Sequence, residues 1–307
     1  MNIDGVLYTL VYGNISSISA NPIEKKPFFH FYPGSQALTV GTYGCNFLCP
    51  WCQNWEISKS EPDPMEARCL SPQEFVKMAI GEGCQGSSIS FNEPTLLFEY
   101  ALDLFPHCRE KGLYNTFVSN GYMTVRALEM LREVGLDAIK FDVKGDKELV
   151  NRYCGADSDV VWRNARRAKE LGLHVEVVNL VVPGLNDSEE SIHKIIDRHL
   201  SNLDSDTPLH FTRFHPNYKM SDLETTPIET LEKAYRMARS EGLNFVYLGN
   251  VPGHKFENTY CPRCEKLLIE RYSFSITRIE LKEENQCPSC GAKIPIIIHP
   301  RQIQKAP

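Results

Sequence analysis

The sequence predicts an α/β fold: a partial barrel of the (β/α)6 type, followed by a small C-terminal zinc-ribbon-like module. Short apolar runs alternate with amphipathic stretches through residues 36–250, a pattern typical of βαβ units and a parallel sheet. Polar residues follow the end of each apolar run. Cysteines gather after the first run and again beyond residue 251.

Seven apolar runs are the predicted strands, at 37–41, 87–91, 114–118, 137–142, 174–182, 209–212 and 245–248. Because a closed barrel of this class has eight strands, six or seven units predict an open one. Four Gly-Leu pairs mark predicted helix ends, at 112–113, 135–136, 172–173 and 242–243. Predicted helix starts are Ser71-Pro72, Thr226-Pro227 and Asp187-Ser188, each with an acidic residue in the first turn.

The chain divides into three predicted regions. Residues 1–35 form an N-terminal extension whose crowded aromatics, such as Phe28 and Phe31, suggest that it covers the barrel. Residues 36–250 form the barrel. Residues 251–307, where the βα rhythm is lost, form a metal-binding module with four cysteines.

Composition and charge give no sign of a nucleic-acid or membrane partner. The 307 residues carry a net charge of −6 and no Lys/Arg block, so we expect no nucleic-acid partner. No apolar run approaches the length of a membrane span, and the N-terminus does not resemble a signal peptide. We therefore expect a cytoplasmic protein without a membrane partner.

The cysteines point to metal binding. Their odd number, 11, argues against a disulfide framework. Seven of the 11 lie in two tight clusters. The scattered four are expected to be buried small apolar residues: Cys69, Cys84, Cys108 and Cys154.

The first cluster places three thiolates, Cys45, Cys49 and Cys52, on one short loop after the first strand. Soft thiolates select iron–sulfur clusters or zinc, and a four-iron cluster with three cysteines has one iron open to another ligand. The alternatives are a zinc knuckle and three thiols without metal. Zinc prefers paired C-x-x-C motifs or mixed Cys/His sets, and the nearest histidine, His30, lies outside the loop.

Polar residues that follow the other strands are candidate partners of this loop. The carboxyl ends of parallel strands share one rim, so these residues are expected to converge. Surface ion pairing is the alternative role for Asp142 and Lys144, and a loop hydrogen bond is the alternative for His215. The candidates are Asn92, Glu93, Ser119, Asn120, Asp142, Lys144 and His215.

The three-cysteine motif, with Trp51 before its last cysteine, resembles the signature of the radical S-adenosylmethionine (SAM) superfamily. The resemblance implies a [4Fe-4S] cluster on Cys45, Cys49 and Cys52, with SAM chelating the open iron. It also implies reductive cleavage of SAM to methionine and a 5′-deoxyadenosyl radical that abstracts hydrogen from a substrate. An electron donor such as a flavodoxin or ferredoxin is implied as well.

Two closer resemblances refine this prediction. The segments 142–144 and 182–187 are similar to those of glycyl-radical-enzyme activases such as pyruvate formate-lyase activating enzyme. Most of the chain resembles the radical SAM member of the AmmeMemoRadiSam group. The segments that carry this likeness are 22–27, 49–56, 92–95, 210–216 and 259–262.

The resemblance also implies roles for the rim residues. Glu93 and Pro94 match a Gly-Gly-Glu-Pro motif that contacts the amino group of SAM, with Asn92 in place of a glycine. Lys144 resembles a lysine that reaches SAM, and Asp142 resembles a neighbour that helps to bind a cation. Ser119-Asn120 aligns with a segment preceded by an aspartate, where this chain has valine. His215 matches a histidine near the adenosyl group.

The substrate remains open between two classes. An activase-like core favours a glycyl residue on a partner protein. The extra terminal segments and Val118 favour another protein residue or a small molecule. A third hypothesis is a non-catalytic metalloprotein that binds a partner.

The second cluster comprises two C-x-x-C pairs, Cys261/Cys264 and Cys287/Cys290, with 22 residues between them. Two such pairs complete a tetrahedral site, so the spacing predicts structural zinc. An auxiliary iron–sulfur cluster and a single rubredoxin-like iron are the alternatives. Leu267–Ile269 and Tyr272–Ile276 are predicted to be strands of this module.

Overall fold

The computed structural model of the protein describes residues 2–62 and 69–298, so the end of the predicted C-terminal module, 299–307, lies outside the described residues. The strands are β1 (Asn2–Ile3), β2 (Val6–Leu7), β3 (Ser17–Pro22), β4 (Gln36–Gly41), β5 (Gly86–Ile89), β6 (Tyr114–Ser119), β7 (Ala138–Val143), β8 (His174–Val181), β9 (Leu209–Arg213), β10 (Val246–Gly249), β11 (Thr259–Tyr260), β12 (Leu267–Tyr272) and β13 (Ser275–Ile279). The α-helices are α1 (Trp55–Ser58), α2 (Pro72–Gly81), α3 (Phe98–Glu110), α4 (Val125–Val134), α5 (Lys147–Leu149), α6 (Ser158–Glu170), α7 (Glu189–Asn202) and α8 (Ile228–Ser240). None of the described helices is both long and apolar enough to span a bilayer.

The main sheet is an open barrel of eight strands. Strands β4 to β10 lie side by side in chain order, and each pairs in parallel with the next. Strand β3, from the N-terminal region, adds to the free side of β4 in the antiparallel direction. The six larger helices α2, α3, α4, α6, α7 and α8 connect successive parallel strands. The predicted (β/α)6-type fold is confirmed, with one further strand after the sixth unit.

Helix capping follows the sequence signals at most ends. Ser71 forms a complete capping box with Glu74, and the Ser188 hydroxyl accepts the Ser191 amide at the start of α7. Gly135 ends α4 with a φ of 114°, where a β-carbon would strike the Arg109 side chain.

Thr226 does not cap α8, contrary to the prediction. Its buried hydroxyl donates to the Val181 carbonyl (2.6 Å) and accepts the Phe214 amide (3.0 Å), so it joins the ends of β8 and β9. The helix begins at Ile228, and its N-cap residue, Pro227, makes no side-chain cap bond. A buried backbone carbonyl without a partner is costly, and the hydroxyl satisfies this one.

The two faces of the barrel differ in chemistry. Alternate side chains of a strand point to opposite faces. The outer face packs on the helices with large apolar residues, including Phe117 against Phe105 of α3. The inner face carries at least one buried polar residue on each of β4 to β9, including Thr39, Ser88, Thr116, Lys140, Glu176 and His210. The barrel therefore has a polar lumen.

Residues 23–35, called the floor segment below, close the end of the barrel opposite the rim. The Glu176 carboxylate in the lumen accepts the backbone amides of Phe29 (3.0 Å) and His30 (2.8 Å). The same carboxylate contacts His174 Nε2 (2.9 Å) and His210 Nε2 (2.7 Å). One buried carboxylate thus joins the floor segment to β8 and β9.

The C-terminal module packs on the floor segment. Strands β11, β12 and β13 form a separate antiparallel sheet. The buried Arg271 guanidinium donates to the Phe29 carbonyl (2.8 Å), and His30 Nδ1 lies 3.0 Å from the Pro295 carbonyl. The first predicted strand of the module is confirmed. The second begins later than predicted, since Ser273 takes a φ of 56° in the hairpin turn. The three region boundaries stay predictions.

Three of the four scattered cysteines are buried as expected: Cys84, Cys108 and Cys154. The prediction is wrong for Cys69, which is exposed and forms an isolated β-bridge with Asn14 of the N-terminal region.

Buried neutral histidines make the fold sensitive to acid. Burial lowers the pKa of His199 on α7 to about 4 and that of His30 to about 3. The unfolded chain takes up these protons near pH 6.5, whereas the folded chain resists until lower pH. The stabilising contribution is therefore present above about pH 6.5 and falls with pH, by up to about 1.4 kcal/mol per unit for each histidine.

We expect the unfolding free energy of His199→Gln to fall less steeply than that of the wild type between about pH 6.5 and 4. Urea denaturation across that range measures it. His215→Gln, at an exposed histidine whose side chain makes no hydrogen bond or ion pair among the described residues, is the matched control and should keep the wild-type slope. Equal slopes for all three proteins would contradict the assignment.

Candidate active site

The loop that carries the first three cysteines, residues 42–59, follows β4 and is called the cysteine loop below. Backbone bonds fold it on itself, with the Gly44 amide donating to the Ile57 carbonyl (2.9 Å). The Lys59 ammonium donates to the Phe47 carbonyl (2.6 Å). The loop therefore has a defined shape at the rim of the barrel.

The three sulfur atoms of the loop have different neighbours. Cys45 Sγ accepts the Phe47 amide (3.4 Å) and lies 3.9 Å from Asn120 Nδ2. Cys52 Sγ lies 3.7 Å from the Ser58 hydroxyl. Cys45 and Cys52 are half-buried and Cys49 is buried, so the set lies partly covered at the barrel mouth.

A fourth cysteine, Cys154, reaches this loop. It ends a π-helical turn after α5, and its sulfur lies 3.4 Å from that of Cys49. Its carbonyl also accepts the Leu48 amide (3.0 Å). The Cys154 thiol, helped by the charge of Lys144, lowers the pKa of Cys49 to about 7 despite burial. No sequence signal links the two cysteines, because 105 positions separate them.

Asn92 fastens the start of the cysteine loop. Its Oδ1 accepts the Thr42 amide (3.1 Å), and its Nδ2 donates to the Gly44 carbonyl (2.8 Å). A glycine at this position would leave both backbone groups without these partners. The side-chain amide is thus engaged with the loop, and its predicted contact with SAM stays a prediction.

Glu93 joins the loops that follow β5 and β6. Its carboxylate accepts the Thr95 amide (3.0 Å), the Ser119 hydroxyl (2.8 Å) and the Asn120 amide (2.8 Å). Burial raises the pKa of this carboxyl, and the hydrogen bonds oppose the rise. Asn120 then donates to Asn46 Oδ1 (2.7 Å) in the cysteine loop. The structure therefore brings together four predicted residues: Asn92, Glu93, Ser119 and Asn120.

A line of three charges runs along β7 toward the mouth. Asp142 pairs with Lys140 on one side and with Lys144 (3.2 Å) on the other. Burial would raise the pKa of Asp142, but the two ammonium groups hold it below its usual range. Lys140 was absent from the predicted site, although a lysine inside the apolar run 137–142 was the available signal.

His215 lies apart from these contacts. It follows β9 and is exposed, and its side chain makes no hydrogen bond or ion pair within residues 2–62 and 69–298. Nearby, Tyr218 stacks on Trp55 of the cysteine loop, with ring centroids 5.3 Å apart. The Lys219 amide also donates to the Pro50 carbonyl (3.0 Å), so the segment after β9 borders the loop.

The second cysteine set converges on one point. Cys261 Sγ lies 3.5 Å from Cys290 Sγ, and Cys264 Sγ lies 3.6 Å from Cys287 Sγ. All four sulfur atoms lie within 4.8 Å of one another. A four-cysteine cluster that could hold one metal ion is therefore present in the C-terminal module.

Comparison with known families agrees with this geometry. The family model of the radical SAM superfamily matches residues 39–198, which are more than half of the chain. That stretch begins in β4, includes the cysteine loop and ends in α7. The chain belongs to the radical SAM superfamily. Membership implies a [4Fe-4S] cluster and SAM.

Individual relatives differ in how much of the chain they share. An uncharacterized protein of Methanocaldococcus jannaschii is 46% identical over 298 residues, which cover 97% of this chain and 89% of the relative. The pyruvate formate-lyase-activating enzyme of Clostridium pasteurianum is 24% identical over 206 residues, which cover 62% of this chain and 84% of that enzyme.

A solved structure shares the fold. The crystal structure of Streptococcus suis SuiB bound to S-adenosylmethionine has a TM-score of 0.55 at 15% identity, covering 74% of this chain and 53% of that chain. At this identity the likeness establishes the fold alone.

The role of Asn92 in this radical SAM protein can be tested by its replacement with alanine. The buried Thr42 amide would lose its partner, so we expect the cysteine loop to open more easily by about 1–3 kcal/mol. Hydrogen exchange of residues 42–59 should accelerate, and iron content after reconstitution should fall.

Asn250→Ala is the matched control, because Asn250 also follows a strand and makes one side-chain bond, to the Arg213 carbonyl. It should leave exchange in 42–59 unchanged. Unaltered exchange in Asn92→Ala would show that the loop does not depend on this amide.

Proposed function

We propose that the protein is a radical SAM enzyme that cleaves SAM reductively at a [4Fe-4S] cluster held by Cys45, Cys49 and Cys52. It then abstracts a hydrogen atom from a substrate in the barrel mouth. The observation that carries the proposal is the cysteine loop: three sulfurs on one segment, fastened to the rim by Asn92 and Asn120.

The donor set fits a cluster rather than a single ion. Three thiols occupy one loop, and soft sulfur ligands of this kind bind iron–sulfur clusters. Among the described residues, only the C-terminal four cysteines form a set gathered closely enough for one ion. Because three cysteines bind only three of the four irons, one iron remains available to SAM.

The rim residues divide into two roles in this proposal. Four rim residues form hydrogen bonds with one another and with the cysteine loop, and they thereby position the cluster ligands: Asn92, Glu93, Ser119 and Asn120. Lys144 keeps donor capacity beyond its bond to Asp142, and it suits the SAM carboxylate or ribose. His215, exposed beside the loop, is proposed to border the adenosyl group.

Bound in this site, the cluster supplies the electron that splits SAM into methionine and a 5′-deoxyadenosyl radical. An external donor such as a flavodoxin or ferredoxin is proposed to deliver that electron. The barrel walls and the floor segment limit water around the substrate, which protects the radical chemistry from side reactions.

For the substrate, we propose a glycyl residue of a partner protein, as in an activase. The likeness to the Clostridium pasteurianum activating enzyme supports this choice. A different protein residue or a small molecule is the second candidate, supported by the floor segment that closes the lumen and by Val118 where activases have aspartate. A glycyl-radical electron paramagnetic resonance signal on a co-expressed partner would distinguish the first candidate from the second.

We propose zinc for the C-terminal site. Tetrahedral Zn–S bonds of about 2.3 Å place neighbouring sulfurs about 3.8 Å apart. The observed separations of 3.5 and 3.6 Å agree with one ion better than with a four-iron cluster, whose cysteines bind different irons.

The function is tested by anaerobic incubation of the reconstituted protein with SAM and dithionite, with 5′-deoxyadenosine measured by mass spectrometry. We expect the wild type to form it and the Cys45→Ala, Cys49→Ala and Cys52→Ala variants to form none. Cys84→Ala, at a buried cysteine outside both clusters, should retain formation. A wild type that holds no cluster and binds no SAM would overturn the proposal in favour of a non-catalytic metalloprotein.

The zinc proposal is tested in the triple variant with Cys45, Cys49 and Cys52 replaced by alanine. We expect about one zinc per chain and no visible absorption, since four thiolates of one site bind one ion. Adding Cys264→Ser should remove the zinc and lower the melting temperature. Iron with visible absorption in the triple variant would instead identify an auxiliary cluster or a single iron.

A further inference from the structure

Lys26 places a buried ammonium in the lumen, and no carboxylate of the described residues pairs with it. Lys26 belongs to the floor segment and is only 3% exposed. Its ammonium lies 4.4 Å from the centroid of the Phe91 ring, a cation–π contact. Phe91 follows β5 at the rim, and its ring packs where a β-carbon of Gly41 would lie. The Lys26 side chain therefore spans the lumen from the floor toward the mouth.

The surroundings of Lys26 do not neutralise it. Within residues 2–62 and 69–298, no carboxylate or hydrogen-bond acceptor contacts its ammonium. Burial and the like charges of Lys25 and Lys140 lower its pKa to about 7. Lys140, by contrast, is paired with Asp142. Buried charges are normally paired, because an isolated one loses its hydration without compensation.

Among the described residues, the lumen holds three lysines and three carboxylates: Lys26, Lys140, Lys144, Asp142, Glu93 and Glu176. Asp142 pairs with Lys140 and Lys144, and the Glu176 carboxylate is held by two backbone amides and two histidines. Lys26 is therefore the lysine of this set without a carboxylate partner, and an anion that enters the lumen would pair with it.

The lumen opens toward the cysteine loop. The side chains at the rim end of β7 are more exposed than Lys140, which is 5% exposed: Asp142 is 25% and Lys144 16% exposed. At the other end, the floor segment blocks entry through its bonds to Glu176. A ligand for Lys26 must therefore enter from the side where SAM and the cluster are proposed to bind.

We propose that Lys26 binds an anionic group of the substrate, a carboxylate or a phosphate, that extends into the lumen below the cluster. This inference rests on the proposed function, because the substrate meant here is the molecule that donates the hydrogen atom. The lysine fixes the inner end of that molecule, while its reacting carbon stays near the mouth. The SAM carboxylate is the alternative anion for Lys26. Lys144 lies closer to the rim, however, and is the lysine proposed above to bind SAM.

The test compares the full chain, reconstituted with iron and sulfide, with Lys26→Met and Lys25→Met. Lys25→Met is the matched control, since it removes an exposed ammonium from the adjacent position. Melting temperatures are measured at pH 6 in sodium acetate, sodium phosphate and sodium chloride of equal ionic strength. Because phosphate stabilises proteins generally, only the difference between variants is interpreted.

We expect acetate or phosphate to raise the melting temperature of the wild type and Lys25→Met by about 2–4 °C over chloride, at roughly ten times the dissociation constant. Lys26→Met should lack this increment. The increment should also vanish in the wild type at pH 9, where Lys26 has lost its proton. Lys25 and Lys140 are the charges that act directly on Lys26, and Lys140 in turn faces Asp142, Lys144 and Glu93.

A response to acetate alone identifies a carboxylate, and a response to phosphate alone identifies a phosphate. Equal responses in Lys26→Met and wild type, or none in the wild type, would overturn the proposal. So would a tenfold loss of SAM affinity in Lys26→Met by calorimetry, which would assign the anion to SAM. If Lys26→Met does not fold, Lys26→Gln provides the same comparison. Anion binding without 5′-deoxyadenosine formation would refute the proposed function alone, so the two failures remain distinguishable.

Discussion

The buried carboxylate of Glu176 is the interaction on which the arrangement of the molecule depends. Burial alone would raise its pKa, but the hydrogen bonds of His174 and His210 keep it far below the usual range. The resulting anion gathers two backbone amides of the floor segment. That segment in turn accepts Arg271 and contacts Pro295 of the C-terminal module. A charge in the centre of the barrel thus determines where the N-terminal and C-terminal regions dock.

Much of the barrel could be predicted from local patterns, because strand periodicity and helix caps depend on neighbours in sequence. The strand ends carry the rim residues, so Asn92, Glu93, Ser119 and Asn120 could be expected to meet. The roles within the rim could not be predicted. Asn92 and Glu93 bind protein groups, which only the folded loops reveal. The sequence around Thr226 predicts a helix cap, but the hydroxyl instead joins the ends of two strands, because the buried Val181 carbonyl needs a donor.

Long-range contacts account for the rest. Cys154 looked like an ordinary core cysteine, and burial alone would not separate it from Cys108. Its contact with Cys49 arises from a π-helical turn that no local sequence pattern marks. Lys26 belongs to a segment whose aromatics predicted a cover for the barrel. That this lysine enters the lumen depends on how Glu176 anchors the amides that follow it.

The floor segment lies between the barrel and the C-terminal module, which has a consequence for how the chain can be divided. Phe29 packs against His210 and Tyr247 on one side and under the Arg271 guanidinium on the other. Cutting the chain near residue 251 would therefore uncover an apolar ring and a buried carboxylate together. The module with four cysteines is structurally part of the catalytic barrel, and it is unsuited to exchange as an independent cassette.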